Sequence, residues 1–429
     1  MATMMNKAEF PSIGETIWTG VLSNGLSVFV VPKKGFRSCY ALFGTHYGGA
    51  MRNFELEGKV HETPEGIAHY LEHKMFDMPE GNNALEILSA NGAEPNAFTS
   101  SGMTVYYFES TRNFRENLEM LLKFVSTPYF TEESVEKEQG IIGQEIRQTE
   151  DSPGFQVYHQ LMMLLYRHHP VRDAVAGTVE SIREITPQVL YDCHRIFYHP
   201  SNMTLCVSGD VDPEEVRAIA EEVLTKEPGT APEPDFGPAD LEEPEVKRHS
   251  MTMEVAAPLF FIGAKFAPAD KGEELLRQKL TAGLVLRTLF GSSSDFYAEQ
   301  YAAGLISRDF DYEADYTAGT ATVILGGESP APEKVYGEIV KTIEKNLRFG
   351  LDPRDLERIK KASIGARLRG LEDVEGVALS QVDGTFGGYD PLRSVEILPT
   401  ITAEECNEFL KQVLAPEHLV MSLVLPKGR

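Results

Sequence analysis

Val179-Glu180 recurs as Val395-Glu396, Ile185-Thr186 as Ile401-Thr402, and Pro200 as Pro416, each pair 216 positions apart with no gap. One such match could be chance. Several at a single offset mark an internal duplication, and this confines the chain to two copies of one architecture. In both copies a polar-amphipathic helical pattern leads through a proline into an apolar strand, Met203 to Val207 and then Leu419 to Leu423. At 429 residues the chain also exceeds what one ordinary core accommodates.

Between the copies, Lys226 to Arg248 carries Pro228, Pro232, Pro234, Pro238 and Pro244 among acidic residues. No packed element fits that composition, so it reads as an extended linker. The expected domains are therefore 1–225 and 249–429, joined by a linker at 226–248. The first half opens on a strand introduced by the tight-turn pair Asn24-Gly25, with a second strand pattern from Met103 to Phe108. Helical patterns cover Ile67 to Asp77, Asn117 to Val125 and Glu132 to Glu150. Leu276, Leu280 and Leu284 mark a helix of the second half, and Ala321 to Leu325 a strand. The expected fold class is α+β: two homologous, duplicated sheet-plus-helices domains joined by the linker into a clamshell.

The segment Gly66-Ile67-Ala68-His69-Tyr70-Leu71-Glu72-His73 contains H-x-x-E-H, the inverse of the H-E-x-x-H zinc-peptidase helix. Residues i and i+4 of a helix lie about 5–6 Å apart on one face, so His69 and His73 can meet at one metal ion. Glu72 leans toward the same face, within reach of a water on that ion, and is the candidate general base. Two imidazoles do not hold catalytic zinc alone; three protein ligands and an open position are usual. The candidates for the third are Glu138 and Glu145, seven residues apart on one face of an acidic helical stretch. Gly140 and Gly143 weaken that helix by about 1 kcal/mol each, which suggests close approach by another element. No H-x-x-E-H occurs in the second half. The duplication kept the scaffold twice and the metal motif once.

With these features the sequence resembles the insulinase, pitrilysin and mitochondrial-processing-peptidase family of zinc peptidases. Within it, the sequence is most similar to the bacterial YmfH-like branch of single-length, two-domain proteins. The resemblance spans nearly the whole chain and rests on Ser23-Asn24-Gly25-Leu26, the inverted motif, Asn96-Ala97-Phe98-Thr99-Ser100, the acidic helix and Gly209-Asp210. It implies one zinc ion per chain, held by His69, His73 and Glu145, with Glu138 as a partner beside the ligands. It also implies that Asn96, Ala97 and Phe98 lie on an exposed strand edge where a substrate peptide pairs as an extra strand.

The family places an arginine and a tyrosine, seven residues apart, in the C-terminal half, where they bind substrate and stabilise the oxyanion. Here Gln300 and Ser307 occupy those places, with Arg308, Tyr312 and Tyr316 nearby but off the pattern. A homologous partner subunit, or a second copy of this chain, is then expected to supply the pair. The resemblance implies a zinc metalloendopeptidase acting on peptides or unfolded segments. The rival readings are a non-hydrolytic peptide-binding or scaffold subunit, and a maturation peptidase tied to a modification pathway. Loss of any of the four metal-site residues would favour the scaffold, and all four are present.

Composition narrows the partners. A net charge of −25 argues against nucleic acid and against anionic membrane surfaces. No segment approaches 18 uninterrupted apolar residues, and Met1 to Trp18 lacks a signal-peptide run. Cys39, Cys193, Cys206 and Cys406 lack zinc or redox spacing, so a cytoplasmic protein with reduced thiols is expected. His168-His169-Pro170, His159, His194 and His199 read as structural, and Gly384 to Pro391 as turns without a phosphate-loop lysine.

Overall fold

A computed structural model describes residues 4–225, 227–240 and 243–427. In chain order it begins with strands β1 (Asn6–Phe10), β2 (Glu15–Val21), β3 (Ser27–Pro32), β4 (Cys39–Thr45), β5 (Asn53–Leu56) and β6 (Lys59–Glu62). Helices α1 (Ile67–Met75) and α2 (Ala84–Ala90) precede strands β7 (Ala93–Thr99) and β8 (Thr104–Ser110). Then come α3 (Phe114–Ser126), α4 (Glu132–Glu150), α5 (Pro153–Leu165), α6 (Pro187–Phe197), β9 (Met203–Gly209), α7 (Pro213–Val223) and the two-residue β10 (Glu233–Pro234). The remainder runs β11 (Arg248–Met253), β12 (Leu259–Phe266), α8 (Glu273–Phe290), α9 (Asp295–Ala302), β13 (Asp311–Thr317) and β14 (Thr320–Glu328). It closes with α10 (Pro332–Phe349), α11 (Pro353–Gly370), α12 (Val374–Gly387), α13 (Ser394–Ile397), α14 (Ala403–Val413) and β15 (Val420–Pro426).

The first compact unit holds the described residues up to Ile146, Ala174–Phe236 and Leu368–Pro391. Its seven-stranded sheet has the order β1-β2-β3-β9-β4-β8-β7. The Asn24-Gly25 turn forms as expected. Gly25 sits at φ +87°, and the Asn24 side chain accepts from Leu26 N and donates to Leu224 O. Alternation along the inner strands sends Ala41, Phe43, Tyr106 and Phe108 into a core with α1, α3 and α4, and Tyr40, Leu42 and Val105 to the opposite face. Val374, Ala378 and Val382 of α12 cover that opposite face.

The second unit holds Arg147–Asp173, Gly237–Arg367 and the described residues from Leu392 onward. Its sheet, β11-β15-β12-β14-β13, repeats the order and strand directions of β3-β9-β4-β8-β7: one parallel pair, then three antiparallel pairs. The duplication is therefore present in the topology as well as the sequence. Thr186 and Thr402 cap α6 and α14 by accepting from the backbone N–H three residues on. Each helix is followed by a short proline-led turn and then by the apolar strand, β9 or β15.

The compact units are not the linear halves 1–225 and 249–429. Helix α5, from the first half, belongs to the second unit, where Leu161, Met162 and Leu165 pack with Ile324 and Val420. Helix α12, from the second half, belongs to the first. A glycine opens each docking surface. Gly44 of β4 pairs with Thr204, Gly263 of β12 pairs with Val420, and 204 and 420 are themselves duplication equivalents. A Cβ on Gly44 would sit 3.3 Å from Val382, and one on Gly263 would sit 3.0 Å from Leu161 and Leu165.

The linker expectation holds in part. Glu233–Pro234 pairs with β5, and Asp240 accepts from the backbone N–H groups of Arg167, His168 and His169 and pairs with Lys265 at 3.3 Å. Lys226, Leu241 and Glu242 lie outside the described residues. His169 accepts from Val171 N, and burial pushes its pKa down to about 4, the structural role expected of it. No helix among the described residues is long and apolar enough to cross a membrane.

Two outcomes follow from this packing. Gly263→Val forces α5 outward or distorts β12 and is expected to cost about 1–3 kcal/mol in denaturant unfolding; unchanged stability would show that the surface tolerates a side chain. Glu405 completes the Thr402 cap and takes a two-pronged contact from Arg277 at 2.6 and 3.0 Å. That hydrogen bond, with burial opposing, holds Glu405 at about 2 against 4.5. Because the folded pKa is depressed, its contribution is full above about pH 4.5 and lost as pH falls toward 2. Both groups are about one-third exposed, so the contribution is modest. The stability gap between wild type and Glu405→Gln should close over that window.

Candidate metal centre

Helix α1 begins where only glycine fits. Gly66 has φ +87°, and a Cβ there would meet the Ala176 carbonyl oxygen at 2.4 Å. From this start Ile67, Ala68, Tyr70, Leu71 and Met75 face the core, leaving His69 and His73 on the partly open face with ring centroids 4.6 Å apart. The Tyr70 hydroxyl donates to Val135 O, which fixes α1 against the start of α4. On α4, Val135, Ile142 and Ile146 are buried, and the two-turn spacing brings Glu138 and Glu145 to the histidines.

His69 Nε2 lies 3.4 Å from one Glu145 oxygen, and His73 Nε2 lies 3.5 Å from the other. One donor atom from each of the three residues falls within 4.8 Å of the others. These separations exceed the usual 2.7–3.2 Å of an N–H···O bond. Bonds of about 2.0–2.2 Å to a tetrahedral zinc would hold its donors about 3.3–3.5 Å apart. Two imidazoles and one carboxylate are also a catalytic-zinc donor set. The donor types fit the ion, and each histidine nitrogen stands at about that spacing from one of the two Glu145 oxygens.

Around the donors the charges are ordered. Glu138 Oε1 lies 3.2 Å from His73 Nδ1, so Nδ1–H donates and leaves the Nε2 lone pair facing Glu145. Burial disfavours a charged His73, but the Glu138 hydrogen bond and the charges of Glu145, Glu72 and Glu138 outweigh it and raise its pKa. Burial likewise opposes ionised Glu138, yet His73 and Lys74 hold it below the usual carboxylate range. For Glu145 the nearby His69 ring leads and lowers the pKa, burial opposes, and the charge of His73 adds to the lowering.

Glu72 directly precedes His73, on which its charge acts, and is buried. Its Oε2 accepts from Thr99 Oγ1 at 2.5 Å. Thr104 gives its only hydroxyl proton to Tyr47 O at 2.9 Å, so it has none to give across the 3.2 Å contact with Thr99. An ionised Glu72 can only accept, so the single Thr99 proton goes to the carboxylate, whose other oxygen remains available.

Thr99 ends β7, the outermost strand of its sheet, whose far edge pairs with no strand among the described residues. Pleating sends Ala97 and Thr99 to the α1 side and Phe98 to the α12 side, where its ring packs near Tyr107. Asn96, of the same parity as Phe98, lies opposite Tyr107 on β8. Asn96 and Phe98 therefore offer main chain, rather than side chains, on the metal side. The expected close approach at Gly140 is absent: it is exposed, and a Cβ there would meet nothing within 4 Å. Gly143 is buried. In the second unit Gln300 is buried on α9, Ser307 bonds Asp309, and Arg308 is exposed. Tyr312 is half-buried, and the buried Tyr316 hydroxyl has no partner among the described residues.

Residues 57–179 match the insulinase (peptidase family M16) model, and residues 184–363 match the peptidase M16 inactive domain. The uncharacterised zinc protease YmfH of Bacillus subtilis is 39% identical over 99% of this chain and all of its own length. The chain belongs to the insulinase, or M16, family of zinc proteases. The crystal structure of an M16-like peptidase from Alicyclobacillus acidocaldarius superposes with a TM-score of 0.93 at 34% identity, covering 98% of this chain and 100% of that one. Pitrilysin shares the fold at a TM-score of 0.79 and 14% identity, this chain covering 47% of its length and being covered over 99% of its own.

Sequence reasoning missed Thr99 as a contact of Glu72, and it missed Lys74. A lysine three and four residues after Leu71 and Tyr70, on the core face of α1, was the available signal for a buried charge partner. Thr99→Val keeps the shape and removes the donor to Glu72. It should retain metal and lower the peptidase rate about 10–100-fold, as loss of a hydrogen bond to a charged group would; an unchanged rate would mean that α1 alone positions Glu72.

Proposed function

We propose that this chain is a zinc metalloendopeptidase that cleaves peptides or unfolded segments, binding one zinc ion through His69, His73 and Glu145. The observation that carries the reading is the convergence of these three donors beside a buried glutamate held by Thr99. Zinc in such a site supplies Lewis acidity toward a carbonyl and lowers the pKa of water to about 7. Glu72 takes the proton of the attacking water on the oxygen that Thr99 leaves free, and delivers it to the departing amine nitrogen. Glu138 orients His73 through Nδ1. The open edge of β7 offers the main chain of Asn96, Ala97 and Phe98 to an extended peptide, which gives affinity with little side-chain selectivity.

Gln300 and Ser307 stand where family members carry an arginine and a tyrosine. Loss of one oxyanion donor costs about 10²–10³ in rate. The reading therefore includes a homologous partner subunit, or a second copy of this chain, as the source of that pair. The same substitutions favour the rival reading, a non-hydrolytic peptide-binding subunit.

Elemental analysis and peptide hydrolysis of wild type and Glu72→Gln, with and without a homologous partner, separate these readings. The expected result is about one zinc per chain in both proteins, hydrolysis abolished by chelation, and a loss of about 10²–10⁴ in the mutant. Hydrolysis surviving in Glu72→Gln removes the base from the mechanism, and zinc-loaded wild type inert with every partner supports the scaffold.

A further inference from the structure

We infer that Lys74 is a positioning residue of the metal centre, acting through Glu138 on His73; this rests on the metal-centre reading above. Lys74 directly follows His73 on α1 yet is only 1% exposed. Its ammonium contacts the Asp77 carboxylate, lies 3.2 Å from the Ser134 carbonyl oxygen, and reaches Glu138 Oε2 at 3.6 Å. Ser134 and Glu138 are one turn apart on α4, and Asp77 lies just beyond α1, so this one nitrogen ties the end of α1 to the start of α4.

The division of labour on Glu138 carries the argument. Its two oxygens have separate partners: Oε1 meets His73 Nδ1 at 3.2 Å and Oε2 meets Lys74. A carboxylate held at one oxygen only can swing about its last torsion; held at both, it presents a fixed acceptor to the imidazole. That acceptor sets which His73 nitrogen faces Glu145 and at what angle. Packing alone does not require the charge, since methionine would fill the same apolar path. An ammonium in so dry a place persists only where oxygens are arranged to receive it. Lys74 thus stands one contact behind the partner that orients a ligand, and its effect should appear in metal affinity.

Zinc dissociation constants from competition with a chelator of known affinity, with melting of the metal-free proteins, test this in wild type, Lys74→Met, Glu138→Gln and the double mutant. Each single mutant is expected to weaken zinc binding about 10–100-fold, the range for partners that orient metal ligands. The double mutant should match Glu138→Gln within about threefold, since Lys74 works only through that carboxylate. The double mutant removes both charges and so provides the comparison even if Lys74→Met does not fold. Wild-type affinity in Lys74→Met, whether or not its melting temperature falls, would reduce Lys74 to ordinary structure and overturn the inference. So would a double mutant more than tenfold weaker than Glu138→Gln. Absence of tight zinc binding by wild type would instead bring down the metal-centre reading, and this inference with it.

Discussion

The site depends on the seating of two helices. His69 and His73 are fixed relative to one another by helical periodicity, but Glu145 is placed only by how α4 lies against α1. Two contacts set that seating: the Tyr70 hydroxyl on Val135 O and the apolar stripe of Val135, Ile142 and Ile146. Each donor–acceptor distance around the centre inherits the precision of this packing. Buried apolar contacts set the distance, and the polar contacts at its margin set the angle.

The sheet supplies the second coordinate. Glu72 is aimed by Thr99, whose position comes from the pairing of β7 with β8. A helix carrying two imidazoles and an edge strand carrying a hydroxyl thus meet at one carboxylate. The strand whose last residue aims Glu72 also presents an open main-chain edge. On the proposed reading, chemistry and peptide capture would be coupled through this single element, seven residues long.

What the sequence revealed follows from which relations are local. The i,i+4 histidines and the seven-residue spacing of Glu138 and Glu145 are helix-internal, and both came through intact. The duplication was legible because its landmarks, the capping threonines and the prolines before the strands, lie at one offset. Thr99 was hidden because its role depends on strand register and on a helical glutamate 27 residues upstream. Lys74 was hidden because a lysine looks solvated until its partners on another helix are known. The exchange of α5 and α12 between the two units was hidden for a related reason. Nothing in the amphipathic pattern of α5 or α12 says which sheet it will cover, and the glycines that receive them, Gly44 and Gly263, look like ordinary strand glycines in isolation.

Those two helices have a consequence for how the chain can be divided. A cut in the proline-rich stretch would leave α5 on a fragment without β12 and β15, and α12 on a fragment without β4 and β9. Each fragment would carry a bare apolar sheet face together with an orphaned cover meant for the other. Mixed in solution, such pieces could mask their greasy surfaces only by trading covers, so heredity by duplication has left the two halves as obligate lodgers in each other's architecture.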